Sequence, residues 1–294
     1  MSLRLINGRD VAAQVTEALN DRLQVLRAQG INPGLAVVVV GDDPASHVYV
    51  RMKGKACDRM GMLSRTHILP SSTSEDDLLG LIDSLNADAE IHGILCQLPL
   101  PSHIDERKVI ERIDPYKDVD AFHPYNVGRM LIGDPLFLPA TPAGIQRLLV
   151  SYEVETRGKH VVVLGRSNIV GKPIASILMQ KGEGADATVT VAHSRSTDLE
   201  GLCRRADILI AAVGIPLFVK ADMVKEGAVV IDVGTNRVDD PASDKGYRLV
   251  GDVDFDNVKG KVAAISPSPG GVGPMTIAML MENTVKAAEM SLGH

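Results

Sequence analysis

The chain opens with hydrophobic residues at helical spacing, among them Val11, Val15 and Leu19. A run of consecutive apolar residues follows, which is typical of a strand buried on both faces. The alternation then repeats, so the predicted elements are a helix over 9–28, a strand over 35–40, a helix over 44–60, a strand at 66–69, a helix over 75–86 and a strand over 91–96. This β-α-β-α-β order favours a parallel sheet with right-handed crossovers.

Residues 97–140 follow no period and are rich in Pro, Asp and His, with one short helix predicted near 105–113. Irregular stretches of this length in compact proteins often carry function. From residue 141 the α/β alternation resumes. The predicted strands lie at 160–164, 188–192, 207–212, 228–232 and 262–265, and the predicted helices near 141–152, 171–181, 197–205, 221–225 and 274–290.

Two stretches of α/β alternation within 294 residues predict two domains. The first domain spans 1–140 and is completed by the C-terminal helix at 274–294, and the second spans 141–273. The predicted fold class is α/β, with two α/β domains and a cleft between them. The C-terminal domain is expected to be of the Rossmann type, with a parallel sheet.

The composition excludes several classes of protein. Hydrophobic residues make up 45% and charged residues 23%, as in globular proteins, and the net charge of −6 comes without a Lys/Arg block that would bind nucleic acid. No run of 18 apolar residues suggests a membrane span. Cys57, Cys96 and Cys203 stand apart, so neither a disulfide framework nor a metal site is expected. The expected location is the cytoplasm.

The stretch HVVVLGRSNIVGKP predicts a strand, a tight turn and a helix start. Gly165 and Gly171 stand where the backbone must turn and approach a phosphate, and the helix N-terminus favours an anion. Ser167 occupies the second glycine position of the usual dinucleotide pattern, so an ordinary glycine-rich loop is the alternative. A nucleotide site is the favoured interpretation.

The loop after the next predicted strand indicates which nucleotide is bound. NAD-binding folds carry an acidic residue there for the ribose 2′-hydroxyl. Here the strand ends in His193, Ser194, Arg195 and Ser196, without a carboxylate, and Arg166 can reach the same region. This pattern favours NADP over NAD, and the alternative is a solvated polar loop.

A second set of polar residues lies in the first half of the chain. Tyr49 and Lys53 share one face of the helix after the 35–40 strand. A lysine in a low-dielectric cleft can accept or donate a proton, and a tyrosine can stack on an aromatic substrate. The alternative is a surface lysine and a packed tyrosine.

The irregular stretch supplies three further candidates. Gln97 follows the 91–96 strand and is fixed by the prolines after it. Asp118 and Asp120 lie in KDVDAFHP, where a carboxylate could accept hydrogen bonds from an amino-heterocycle. The alternative for two aspartates at this spacing is a turn or a weak cation site, but no third oxygen ligand is suitably spaced.

Taken in order, several runs resemble the bifunctional methylenetetrahydrofolate dehydrogenase/methenyltetrahydrofolate cyclohydrolase family. They span nearly the whole chain: YVRMKGKA (49–56), GILCQLPLP (93–101), KDVDAFHP (117–124), TPAG (141–144), GRSNIVGKP (165–173), IDVGTN (231–236), GDVDF (251–255) and PGGVGPMT (269–276). The resemblance implies NADP-dependent oxidation of 5,10-methylenetetrahydrofolate, followed by hydrolysis to 10-formyltetrahydrofolate. It also implies a homodimer acting on a tetrahydrofolate-type small molecule, with the first domain binding folate.

The resemblance further assigns roles to residues. Lys53 is the expected general acid/base, and Gln97 is expected to orient it. Tyr49 is expected to stack on the folate, and Asp120 to hydrogen-bond to the pterin. The wider folate-binding set is Tyr49, Val50, Arg51, Met52, Lys53, Cys96, Gln97, Leu98, Asp120, Pro269, Gly270, Gly271, Val272 and Gly273. The expected NADP contacts are Gly165, Arg166, Ser167, Ser194, Arg195 and Thr235.

The chain departs from the family's usual runs at a few places, none of which removes a proposed catalytic group. These are Ala121, Ala140, Ser196, Thr235, Ser266 and Ser268, together with a slightly extended loop at 181–186. Two other functions stay open: a monofunctional dehydrogenase, which the complete set of Tyr49, Lys53 and Gln97 argues against, and a non-catalytic NADP-binding regulator.

Overall fold

The computed structural model describes residues 3–243 and 246–293 and has the predicted α/β class. The strands are β1 Arg4–Leu5, β2 Gly34–Val40, β3 Leu63–Leu69, β4 Gly93–Cys96, β5 His160–Leu164, β6 Thr188–Ala192, β7 Ile208–Ala211, β8 Val229–Asp232, β9 Asn236–Asp239, β10 Tyr247–Val250 and β11 Ala264–Ile265. The α-helices are α1 Gly8–Ala28, α2 Pro44–Met60, α3 Glu75–Ala87, α4 Glu106–Arg112, α5 Pro124–Leu131, α6 Ala140–Ser151, α7 Gly171–Leu178, α8 Leu199–Arg204, α9 Phe255–Val258 and α10 Val272–Met290.

The described chain divides into two compact units. Unit 1 comprises the residues up to Ala13 and Thr141–Thr276, and unit 2 comprises Gln14–Ala140 and the residues from Ile277 onwards. The N-terminal strand groups with unit 1 because β1 pairs in parallel with β11. A pairing between the two ends of the chain leaves no local sequence signal, so the predicted boundaries did not include it.

Unit 2 is built on a parallel sheet with strand order β3-β2-β4. Strand β2 is central and buried along its whole length, which explains its unbroken apolar run. The Asp43 carboxylate accepts a hydrogen bond from the Ser46 backbone N–H at 2.8 Å and starts α2, and Gly61 ends the helix in a left-handed conformation. Helix α2 therefore begins at the carboxyl end of the central strand.

Unit 1 contains a parallel sheet of order β1-β11-β8-β7-β5-β6. The chain runs from β5 outward to β6 and then returns to β7 on the other side of β5. This reversal is a topological switch point, and the carboxyl ends of the strands beside it are where α/β sheets bind ligands. The loops after β5 and β7 are therefore the expected ligand-binding segments of unit 1.

Several elements differ from the sequence-based predictions. Helix α5 lies inside the stretch predicted as irregular, where it is too short for a helical period to show. Strands β9 and β10 form an antiparallel hairpin whose partly exposed residues lack an apolar pattern. The helix predicted at 221–225 is a single 3₁₀ turn, Ala221–Met223, and α7 ends at Leu178.

The extended loop at 181–186 lies against the end of α6 and the residues after it. The Gln146 amide donates weakly to two of the loop's carbonyls, and the Thr156 hydroxyl donates to a third at 2.7 Å. Gly184 has φ +65°, and a Cβ there would lie 2.6 Å from the Val150 side chain. The loop is therefore packed down within unit 1.

Candidate active site

The amine of Lys53 is the centre of the polar cluster in unit 2. Its side chain lies on α2 and is only 8% exposed. The Nζ atom donates a hydrogen bond to Gln97 Oε1 at 2.9 Å, and the Gln97 amide nitrogen donates to the Leu98 carbonyl at the same distance. The second bond fixes which end of the amide faces the lysine, so Gln97 presents an acceptor to it.

Burial changes the acidity of Lys53. Desolvation lowers the pKa of its amine from the ordinary value, and the negative charge of Asp120 opposes this shift without cancelling it. A larger fraction of the amine is therefore neutral near pH 7 than for an exposed lysine. A group of this kind can take up a proton and return it.

Asp120 is the carboxylate whose negative charge acts on this amine. Desolvation raises its pKa to about 6, Lys53 lowers it and the neighbouring charge of Asp118 raises it. The carboxylate is partly buried, and no hydrogen bond from the described residues satisfies it. Desolvation thus lowers the pKa of Lys53 and raises the pKa of Asp120, so the two pKa values lie closer together than those of exposed residues.

The other aspartate of this segment, Asp118, has a structural role, as the turn interpretation predicts. Asp118 is buried, and its Oδ2 accepts hydrogen bonds from the His123 backbone N–H at 2.8 Å and from the Asn126 amide at 2.9 Å. These bonds close the turn that carries Asp120. Ala121 has φ +57° within the turn, a conformation that costs a non-glycine residue roughly 1–2 kcal/mol.

The other predicted folate contacts fall into different environments. Tyr49 is 40% exposed on α2, one turn before Lys53, so its ring is accessible to a ligand. Arg51 and Met52 are exposed, whereas Val50 and Cys96 are buried. Desolvation raises the pKa of the Cys96 thiol to about 12, so this cysteine is not a nucleophile at neutral pH.

The glycine-rich turn Pro269–Gly273 belongs to unit 1, in contrast to Lys53. The Gly271 backbone N–H donates to the Pro267 carbonyl at 2.8 Å, and the Gly8 N–H donates to the Gly270 carbonyl at 3.0 Å. A Cβ on Gly8 would lie 1.7 Å from the Gly271 carbonyl oxygen. Backbone contacts hold the turn, and a Cβ on Gly271 would lie 2.6 Å from the Pro267 carbonyl oxygen, whereas Gly273 has open space around it.

The loop after β5 has the form of a phosphate cradle. Gly165 has φ +124°, and a Cβ there would lie 2.1 Å from the Ala212 carbonyl oxygen. A Cβ on Gly171 would lie 2.3 Å from the Gly165 carbonyl oxygen. The Ser167 hydroxyl accepts hydrogen bonds from two N–H groups at the start of α7, and Arg166 is exposed beside it. The close backbone approach suits a bound pyrophosphate.

The loop after β6 exposes a cation and a hydroxyl. The His193 ring accepts a hydrogen bond from the Arg195 N–H at 3.2 Å, and the His193 N–H donates to the Ser196 hydroxyl at 3.0 Å. This turn leaves the side chains of Ser194 and Arg195 exposed. The next carboxylate along the chain, Asp198, accepts from the Gly201 N–H and starts α8.

Thr235 is exposed in the loop after β8. It is a predicted nucleotide contact, whereas no role was predicted for the buried carboxylates on either side of its loop, Asp232 and Asp252. Their burial could not be read from the sequence, because aspartate is usually a surface residue.

Over 3–243 and 246–293, no group of three or more His, Cys, Asp or Glu side chains could hold a metal ion. In the same part of the chain, no helix combines the length and apolar character needed to cross a membrane.

Known protein families match nearly the entire chain. The catalytic domain of tetrahydrofolate dehydrogenase/cyclohydrolase matches residues 6–120, and the NAD(P)-binding domain of the same family matches residues 139–292. The bifunctional protein FolD of Moorella thermoacetica is 55% identical, covering 98% of this chain and 99% of that protein. The FolD of Prosthecochloris aestuarii is 54% identical, with 97% and 98% covered.

Solved structures agree with the sequence matches. The bifunctional FolD enzyme of Campylobacter jejuni superposes with a TM-score of 0.92 at 46% identity, covering 99% of this chain and 100% of that one. The Trypanosoma brucei FolD, complexed with NADP cofactor and inhibitor, gives 0.94 at 40% identity, with both chains fully covered. The predicted α/β fold and the predicted pair of enzyme activities are confirmed. By these matches along its whole length, the chain belongs to the tetrahydrofolate dehydrogenase/cyclohydrolase family.

Proposed function

We propose that the chain oxidises 5,10-methylenetetrahydrofolate with NADP and hydrolyses the resulting 5,10-methenyl cation to 10-formyltetrahydrofolate, with Lys53 as the acid/base of the hydrolysis. The observation that carries this proposal is the buried Lys53 amine, hydrogen-bonded to Gln97 Oε1 at 2.9 Å and within the electrostatic influence of Asp120. A surface lysine would keep its charge and could not shuttle a proton near pH 7.

Hydrolysis of the methenyl cation needs one water and releases one proton. The neutral Lys53 amine takes a proton from the water as its oxygen bonds to the methenyl carbon. The ammonium then returns that proton to the ring nitrogen as the carbon–nitrogen bond breaks. The remaining hydroxyl proton passes to solvent, which leaves the formyl group on the other nitrogen. Gln97 accepts from the amine throughout and keeps it in place.

Oxidation places smaller demands on the side chains. NADP, when bound, supplies the acceptor for the hydride. The substrate's nitrogen lone pairs stabilise the cation left behind, so binding and orientation are the main tasks of the chain. The close backbone approach at Gly165 and Gly171 supports the proposal that this loop holds the pyrophosphate, and Arg166, Ser167 and Thr235 are the proposed further contacts to NADP.

Asp120 holds the pterin by accepting hydrogen bonds from its amino and ring N–H groups, and Tyr49 stacks on the ring. A carboxylate without other hydrogen bonds is suited to this role, because a ligand satisfies it. The rest of the predicted folate-binding set, including the Pro269–Gly273 turn, is proposed to line the remainder of the ligand.

Replacement of Asp120 by Asn is expected to stabilise the fold while weakening folate binding. The folded-state pKa of Asp120, about 6, lies above the unfolded value. The free energy of unfolding therefore falls as the pH rises from about 4 to about 6, because the buried carboxylate becomes charged. Asp120→Asn removes this loss, for a gain of about 1–3 kcal/mol at pH 7. Urea unfolding at pH 4 and pH 7 tests it; equal pH dependence in both proteins contradicts the assignment.

Arg195 is proposed to bind the 2′-phosphate of NADP together with Ser194. Its guanidinium is exposed, and residues 193–196 offer no carboxylate to a ribose 2′-hydroxyl. Arg195→Ala is expected to raise the KM for NADP roughly ten-fold and leave that for NAD unchanged. Arg205→Ala, on the far end of α8, is the matched control. An equal increase in the KM for NADP and for NAD would show that Arg195 does not bind the 2′-phosphate.

The two activities are tested together by supplying 5,10-methylenetetrahydrofolate with NADP and following methenyl absorbance as it rises and then decays. Decay no faster than in buffer would identify a monofunctional dehydrogenase. Tight NADP binding without turnover would identify a regulator. Both results would contradict the proposal.

We further propose that the chain forms a homodimer, on the basis of the family resemblance, and that it works in the cytoplasm. The buried free thiols of Cys57, Cys96 and Cys203 are consistent with a reducing compartment. Light scattering coupled to size-exclusion chromatography is expected to give twice the chain mass of 31.4 kDa. A single-chain mass at micromolar concentration would refute the dimer.

A further inference from the structure

Unit 1 buries two aspartates that the proposed reaction does not use. Asp232 is the last residue of β8 and is 2% exposed, and Asp252 follows β10 and is fully buried. Burying a carboxylate is costly unless hydrogen bonds replace the lost water. The two carboxylates lie close together, and their hydrogen bonds show which segments of the backbone they hold in place.

Asp232 holds the segment that contains the second aspartate. Its Oδ1 accepts hydrogen bonds from the backbone N–H groups of Gly234 at 3.0 Å and Asp252 at 2.9 Å. Its Oδ2 accepts from the Val253 N–H at 3.1 Å. Burial raises the pKa of Asp232 to about 7 even with these donors, and the charge of Asp252 adds to the shift. Asp232 thus orients Asp252 at an energetic cost.

Asp252 in turn connects two loops at the carboxyl ends of β7 and β8. Its Oδ2 accepts from the backbone N–H groups of Val213 at 2.7 Å and Gly214 at 2.9 Å. Its Oδ1 accepts from the Asn236 amide at 2.9 Å. A single carboxylate therefore fixes the turn after β7 and the loop after β8 relative to each other.

The backbone packs on both carboxylates without spare room. A Cβ on Gly251 would lie 1.7 Å from Asp232 Oδ2, and a Cβ on Gly234 would lie 2.2 Å from Asp252 Oδ1. Neither glycine has a positive φ, so the space available and not the backbone conformation requires glycine. The loops cannot shift without displacing a carboxylate.

Both loops border the proposed nucleotide site. Ala212 immediately precedes the turn that Asp252 holds. A Cβ on Gly165 would lie only 2.1 Å from the Ala212 carbonyl oxygen, so this carbonyl forms one wall of the cradle. Thr235 lies between Gly234 and Asn236, and each of these neighbours is held by one of the two aspartates. The position of the cradle wall and of Thr235 therefore depends on this pair.

We propose that Asp252, oriented by Asp232, is a positioning residue for NADP binding: it sets the turn after β7 and the loop carrying Thr235, and it does not touch the reacting atoms. This inference rests on the proposed NADP-dependent function. It requires that loss of the carboxylate weakens NADP binding while the Lys53-dependent hydrolysis of the methenyl substrate continues, because that reaction needs no NADP.

The test compares Asp252→Ala with Asp252→Asn. The alanine variant loses acceptors for three donors, and its KM for NADP is expected to rise roughly ten- to one hundred-fold. The asparagine variant keeps an acceptor for Val213 and Gly214, and the Asn236 amide can rotate to accept from it, so recovery to within roughly three-fold of wild type is expected. NADPH fluorescence titration gives the same comparison without turnover.

Asp254→Ala is the matched control, because the Asp254 side chain contacts Lys220 and Asn257 and neither of the two loops. Unchanged NADP affinity in Asp252→Ala, or an equal loss of both activities, would overturn the positioning role. Gly251→Ala keeps both carboxylates but displaces Asp232, so it supplies the answer if Asp252→Ala does not fold; its NADP affinity must fall as well. Wild-type protein without NADP-dependent oxidation would instead refute the proposed function.

Discussion

Lys53→Met is expected to lose cyclohydrolase activity by roughly 100- to 10,000-fold while its affinity for NADP stays unchanged. The range is that of a missing general acid/base. Methionine matches the length of the lysine stem, so the space on α2 stays filled, and Gln97 Oε1 loses its donor. Oxidation should fall less than hydrolysis, since the substrate itself drives hydride release. Hydrolysis is measured on supplied methenyl substrate without NADP.

Two further variants separate proton transfer from charge and from general damage. Lys53→Arg keeps a cation but cannot become neutral at any accessible pH, so it is expected to be nearly as inactive as Lys53→Met. Lys55→Met removes an exposed lysine from the same helix and should behave as wild type. Cyclohydrolase activity that survives Lys53→Met within a factor of roughly three would remove the lysine from the mechanism.

Gly165→Ala is expected to have the opposite selectivity, with the dehydrogenase falling roughly 100-fold or more and the cyclohydrolase little changed. The new Cβ would lie 2.1 Å from the Ala212 carbonyl oxygen, and φ +124° is unfavourable for alanine. The loop after β5 must move by about an ångström, which is enough to misplace a bound nucleotide. Initial rates at saturating folate, over a range of NADP concentrations, measure the effect.

Gly158→Ala is the matched control for this experiment. Gly158 precedes β5, has φ +69° and has open space where a Cβ would be placed, so the substitution adds backbone strain without a clash at the cradle. It is expected to lower the unfolding temperature and keep the KM for NADP. Equal dehydrogenase losses in the two variants would attribute the effect to strain and contradict the cradle.

The sequence was sufficient for features that depend on local patterns. The apolar run of β2 predicts a buried central strand, and the i, i+4 spacing places Tyr49 and Lys53 on one face of α2. Glycines at 165 and 171 predict the tight loop after β5, because only a residue without a Cβ fits there. In these cases one stretch of chain contains all the information that fixes the geometry.

Features that depend on distant pairings could not be predicted in this way. Strand β1 joins the sheet through β11, at the other end of the chain. Asp118 and Asp120 have the same residue type and similar neighbours, yet Asp118 is hydrogen-bonded within its turn while Asp120 interacts electrostatically with Lys53. The roles of Asp232 and Asp252 likewise arise from backbone N–H groups of other loops. In each of these cases the role of the residue depends on tertiary contacts with distant segments, and the local sequence pattern does not show such contacts.

The acidity of one amine tests the central claim most directly. In protein labelled with ¹³C-lysine, the resonance absent from Lys53→Met identifies Lys53, and its titration gives the pKa without any assay of turnover. Burial beside Gln97 predicts a midpoint clearly below the ordinary lysine value of about 10.4. A midpoint at or above that value would mean that the amine stays fully charged at neutral pH, and Lys53 could not then serve as the proton shuttle.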